Sequence, residues 1–296
     1  MRFDKGLLIV LLLAFQALAE QLKPATVAAF DQYVSGTEQR MANEVNSGGF
    51  LWIDMAPPEQ RDQYYARLHK GEVLTKHLQT LEDGRAISVT GGMIHHWVGL
   101  VFIPGASLAN TVAFLQDYDQ QYKFYAPEVE QSRLVRRNGN DFHVYLRLRR
   151  KKVVTVVLDT EYDAQYTILG NNRANARSYS TRIAEVEHAG GANETEKPVG
   201  NDSGFLWRLN SYWRLSQRDG GTYVQLEAIL LTRDIPAGLG WLIRPFVSSV
   251  PQESLQFTLS RTRTTLCCTR RLQAVDRASS ARITSRRKPN CAEFKP

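Results

Sequence analysis

The strongest regularity in the chain is an alternation of apolar and polar side chains through Phe205–Thr232. Within Phe205–Gln217 the odd positions Phe205, Trp207, Leu209, Trp213 and Leu215 are apolar, and Leu206 is the one aliphatic among the intervening Arg208, Asn210 and Arg214. A period of two sends successive side chains to opposite faces, so this is a strand with one face buried. After Arg218-Asp219-Gly220-Gly221 the alternation resumes with Val224, Leu226, Ala228 and Leu230 at even positions. A two-residue turn at Asp219-Gly220 or Gly220-Gly221 pairs odd residues with even ones, which puts Trp213 and Leu215 on one face with Leu226 and Ala228.

Upstream, Val27, Phe30, Val34 and Met41 recur at helical spacing behind Pro24 and predict a helix to Asn43, followed by a second over Glu59–His69. Strands are expected at Glu72–Leu81 and Met93–Ile103, then a helix from Ser107 to about Asp119 and an aromatic loop around Tyr122, Phe124 and Tyr125. The most β-rich stretch predicts Val129–Arg137, Phe142–Arg149, Val153–Tyr162, Gln165–Leu169 and Arg177–His188, with Asn138-Gly139 as a hairpin turn. In Phe142–Arg149 the residues Phe142, Val144, Leu146 and Leu148 share one face. Residues 189–203 form a long polar loop. Beyond Thr232, a Pro-interrupted helical segment carries Leu239, Trp241 and Ile243, and Ser249-Val250-Pro251-Gln252 opens a last helix with Leu255, Leu259, Thr262 and Leu266 in one stripe.

Composition changes this picture in three places. Arg2 and Lys5 precede the apolar run Leu7–Phe15, and Ala17-Leu18-Ala19 supplies a small-x-small site, so 1–19 read as a secretory signal peptide and the mature chain is expected to be exported, periplasmic or extracellular, with no transmembrane segment. The formal charge of +7 comes wholly from this leader and from residues 269–296, which hold six Arg and two Lys against one Asp and one Glu. The body is neutral, so the basic balance gives no reason to expect nucleic acid as a partner. The tail, 267–296, reads as a basic, disordered segment able to make weak contact with anionic surfaces, or as a divergent terminus. Cys267, Cys268 and Cys291 cannot all pair within one molecule; Cys291 could bridge to either of the others, and their spacing does not suit zinc.

The pairing of Leu115-Gln116-Asp117-Tyr118 and Tyr125-Ala126-Pro127-Glu128-Val129 with Tyr223-Val224-Gln225-Leu226-Glu227, running through Asp234-Ile235-Pro236 to the last helix, resembles the SRPBCC superfamily, the START and polyketide-cyclase group. The resemblance covers residues 90–266, with 20–89 as an N-terminal helical extension including a first strand. It implies an α+β helix-grip fold, a curved antiparallel sheet wrapped around a C-terminal helix, and a cavity between them for a sterol, acyl chain, quinone or polyketide.

Candidate wall residues for such a cavity are Val144, Leu146, Trp207, Trp213, Leu226, Leu230 and Trp241, although periodicity alone favours core over ligand contact for each tryptophan. An even-length turn at Asn138-Gly139 would set Arg133 opposite Val144 on the apolar face, where it could anchor a carboxylate or phosphate, unless a bulge flips the register. His95-His96 point to opposite faces of a strand and cannot chelate one ion, one being expected exposed and the other packed. Glu227 falls opposite the apolar face, as a solvated charge or ion-pair partner. No HExxH, GxSxG, P-loop or strand-to-helix GxGxxG occurs, so no catalytic residue, metal ligand or cofactor is assigned. Three readings follow: a carrier or binder of a hydrophobic small molecule, a cyclase or aromatase-like enzyme, or an envelope interaction protein with a closed core.

Overall fold

The computed structural model describes residues 20–152, 154–234 and 249–268. The leader, the segment containing Trp241, and the tail with Cys291 lie outside these. In chain order the elements are β1 (Glu20–Gln21), α1 (Pro24–Asn46), a 3₁₀ turn (Trp52–Met55), α2 (Pro58–His69), β2 (Leu74–His77), β3 (Leu81–Glu82), β4 (Arg85–Ala86), β5 (Gly92–Pro104) and α3 (Leu108–Gln116). A second 3₁₀ turn (Tyr118–Gln120), α4 (Gln121–Phe124), β6 (Val129–Asn138), β7 (Asp141–Lys151), β8 (Thr155–Leu169) and β9 (Arg173–Glu187) follow. The chain continues through β10 (Thr195–Glu196), β11 (Asn201–Asp202), β12 (Arg208–Arg218), β13 (Gly221–Arg233) and α5, residues 249–268.

The main sheet has the order β2-β5-β13-β12-β9-β8-β7-β6, with β10 added beside β9. Every pairing is antiparallel. The sheet curves around α5, which makes this a helix-grip fold. The β12–β13 register is the one that turn parity predicts: Arg218 pairs with Gly221 around Asp219-Gly220, and Trp213 faces Leu226. α5 packs closely on the sheet at Gly99 of β5. A Cβ there would stand 2.5 Å from Leu259 Cδ1 and 3.1 Å from Leu255 Cδ2, so only a residue without a side chain lets α5 sit this close to the sheet. Leu255, Leu259 and Thr262 of the expected stripe are all buried.

The other face of the sheet is not solvent. α1 packs Phe30, Tyr33 and Met41 against Tyr212, Ile229 and Leu231, and Phe50, Leu51, Ile53 and Leu68 pack against Leu100, Phe102 and Tyr223. A strand buried on both sides reads as a near-continuous apolar run, which is why Tyr223-Val224, Ile229-Leu230-Leu231 and Val98 to Ile103 break strict alternation. Charge is buried there too. Glu227, 1% exposed, is bonded to Arg40 and to His96 Nε2 at 2.7 Å, and is therefore a sequestered ion-pair partner rather than a solvated charge. His96 Nδ1 meets Tyr33 Oη at 2.9 Å, whose oxygen accepts the Thr80 amide. Arg214 donates to Glu44 at 3.0 Å and to the carbonyls of Phe50 and Met41. Both His95 and His96 are buried, contrary to the expectation that one is exposed, because the helices cover one face and the domain core the other.

Three further differences come from local irregularity. The strands expected at Val153–Tyr162 and Gln165–Leu169 are one strand, β8, with a register shift at Glu161/Tyr162. The expected strand Glu72–Leu81 ends at His77, and the chain then makes the small β3–β4 hairpin. The aromatic segment after α3 is not a loop but short helical turns.

Candidate functional site

Between α5 and the sheet lies a cavity of about 350 Å³. Its floor comes from the even residues of β7 and β13 and the facing residues of β8 and β12. Its roof is the first half of α5, through Val250, Ser254, Leu255, Phe257 and Thr258, and its side comes from α3 to β6 through Leu115, Tyr118, Tyr125 and Val129. The three-residue connection after Lys151, which pairs with Thr155, sets Val156 and Leu158 on the same face as Leu146 and Leu148.

Five of the sequence-predicted wall residues meet here: Val144, Leu146, Trp213, Leu226 and Leu230. Two do not. Arg133 is turned outward, because β6 skips a residue between Leu134 and Arg136; Arg133 pairs with Tyr145 rather than Val144, and its guanidinium rests 4.5 Å from the Tyr145 ring centroid on the outer surface. Trp207 is buried with Phe30 and Tyr33 on the α1 side. Its amide bonds Leu231 O although Leu231 is paired with Arg208, and this one-residue slip ends the alternation before β12 begins. Its indole N–H goes to Asp202 at 3.0 Å.

The polar groups of the wall were not singled out from sequence. Tyr118, Tyr125, Tyr162 and Tyr166 all border the cavity. Tyr166 donates to Leu115 O at 3.2 Å and is bonded to Tyr118 at 2.9 Å, and Tyr125 is bonded to Thr262 at 2.9 Å. The Tyr162 hydroxyl, on a side chain 5% exposed, has no partner at hydrogen-bonding distance among the described residues. Burial pushes its pKa up to about 12, with the Thr160 hydroxyl opposing, so at neutral pH the phenol keeps its proton. At one end of the cavity Arg150 takes the next position in the row Val144-Leu146-Leu148. Parity could have found it. Its guanidinium is paired with Glu128 and lies 3.9 Å from Glu253, while its Nε is buried without a partner among the described residues. Burial lowers its pKa, with Glu253 opposing. Arg233 and Asp234 stand at the other end.

Among the described residues no three of His, Cys, Asp and Glu converge as a metal-holding group, and no helix is long and apolar enough to cross a membrane. Ser203, which borders the cavity, donates to Glu185 at 2.9 Å, and the rest of the wall offers apolar contact and a few oriented donors.

No family model matches the chain, and no curated protein matches it either. Solved structures are similar to it at low identity. A STAR-related lipid transfer protein from Xanthomonas axonopodis is 17% identical, over 64% of this chain and 98% of that one, with a TM-score of 0.40. The Zhui aromatase/cyclase from Streptomyces sp. R1128 is 14% identical, over 62% and 98%, with a TM-score of 0.41. A protein from Thermus thermophilus is 16% identical, over 58% and 97%, with a TM-score of 0.43.

Proposed function

We propose that the chain holds a hydrophobic small molecule in the cavity between α5 and the sheet, as a binding or carrier module. The observation that carries this is the cavity itself: about 350 Å³ of space walled by Val144, Leu146, Leu158, Trp213, Leu226 and Leu230, behind a sheet whose other face is closed by packing among the described residues. Interiors are ordinarily filled to crystal-like density, and a space of this size with apolar walls and a few convergent polar groups is the usual form of a small-molecule site. The leader-like residues 1–19 support its working outside the cytoplasm.

Native mass spectrometry of the protein purified without organic solvent tests the reading. A lipid-sized adduct that is lost on denaturation is the expected result. A protein that stays free of adduct and also fails to take up a neutral hydrophobic fluorophore overturns it.

A further inference from the structure

We propose that the cavity selects an uncharged ligand: an apolar body bearing one hydrogen-bond acceptor, a ketone or ester carbonyl oxygen, that accepts a hydrogen bond from the Tyr162 hydroxyl. This rests on the reading of the cavity as a ligand site and adds the chemistry of its occupant.

Two observations lead to it. The first is the contrast among the four tyrosines of the wall. Tyr118, Tyr125 and Tyr166 each have a protein partner, whereas Tyr162, as deeply buried, has none among the described residues. β8 runs unbroken against β7, so Tyr162 pairs with Val144 of the apolar floor, and the extra residue at the nearby register shift, Thr181, belongs to β9. A buried hydroxyl left without an acceptor is a standing penalty that an acceptor on the ligand removes.

The second is charge. At the Arg150 end the three cations are each matched: Arg149 by Glu130, Arg150 by Glu128 and Lys152 by Glu253. A carboxylate entering at this end would therefore meet cations that are already matched and would lose its hydration with little in return. A carbonyl oxygen loses far less and gains the Tyr162 bond.

The experiment uses three probes with the same chain length, decyl methyl ketone, dodecane and dodecanoic acid, each displacing N-phenyl naphthylamine from the mature protein at neutral pH. The wild type is expected to bind the ketone most tightly and the acid least. In Tyr162→Phe, which keeps the ring, the ketone should weaken roughly tenfold, the loss of one buried hydrogen bond. The alkane should be unaffected, and the ligand-free variant should unfold at the same temperature or higher. Arg133→Ala should change none of the three. Equal effects of Tyr162→Phe on ketone and alkane, or tightest binding of the acid, would overturn the proposal while leaving the cavity as a binding site. Failure of the fluorophore and all three probes to bind the wild type would remove the binding reading and the proposal together.

Discussion

Replacing Gly99 by Ala tests how α5 is held against the sheet. The backbone of Gly99 lies outside the left-handed region, so Ala is acceptable there in conformation and the whole effect is one of contact. The new methyl carbon would lie 2.5 Å from Leu259 Cδ1 and 3.1 Å from Leu255 Cδ2. Carbon atoms settle at about 3.5 to 4.0 Å, so Leu259 must retreat by about 1 Å or more. Leu259 is 0% exposed and does not border the cavity, so it has little room to retreat, whereas Leu255 can yield into the cavity it roofs. Overpacking of this kind costs about 1 to 3 kcal/mol. Leu259→Ala alone should cost about 2 to 5 kcal/mol through the void it leaves. In the double variant the void accepts the methyl group, and the Gly99→Ala penalty should vanish or change sign. The coupling energy is thus expected at about 1 to 3 kcal/mol, well beyond the ~0.5 kcal/mol scatter of independent sites. Urea denaturation of the four proteins measures it. Additive effects would show that α5 does not touch the sheet at Gly99, and the geometry of the grip would have to be abandoned.

Two other predictions follow from buried polar groups. Burial, aided by the nearby His77, lowers the His95 pKa to about 4 from 6.5, so between those values the unfolded chain binds a proton that the native one refuses. Stability should therefore fall by up to about 3 kcal/mol as pH drops through that window, and His95→Gln should remove most of this loss in urea midpoints measured against pH; an unchanged acid limb in the variant would refute the assignment. Arg214→Met should destabilise the protein by about 3 to 5 kcal/mol, because Glu44 and the carbonyls of Phe50 and Met41 lose a buried donor, and a urea-measured loss below about 1 kcal/mol would mean the outer network contributes little.

The β12–β13 face was legible because Asp219-Gly220 makes the shortest hairpin turn, whose parity fixes every cross-strand partner from Arg208 to Gly221. The same reasoning failed at Arg133 and Trp207. A single skipped residue in β6, and a single slip before β12, reverse the faces on which Arg133 and Trp207 lie, and neither is marked by Gly or Pro in Leu134-Val135-Arg136 or Leu206-Trp207-Arg208. The buried state of Glu227 and His96 depends on α1, whose docking brings Arg40 and Tyr33 to them from positions more than fifty residues away in the chain. Local pattern carries no such information. The Tyr162 hydroxyl is conspicuous only by its missing partner, which is a property of the folded neighbourhood and not of any spacing in the chain.

The irregularity that turns Arg133 outward has a bearing on how copies of this molecule meet. β6 ends the sheet on one side, and an open edge is a template on which another chain can pair and polymerise. Register shifts at Val129/Gln131 and Leu134/Arg136 break its ladder into short pieces, Asp119 takes the Leu134 amide, and Arg133, Arg136 and Arg137 stand exposed along it. The opposite edge, β2, offers only the four residues Leu74–His77. Both margins are thus poor seeds for strand exchange, which keeps a sheet of this size from growing into fibres.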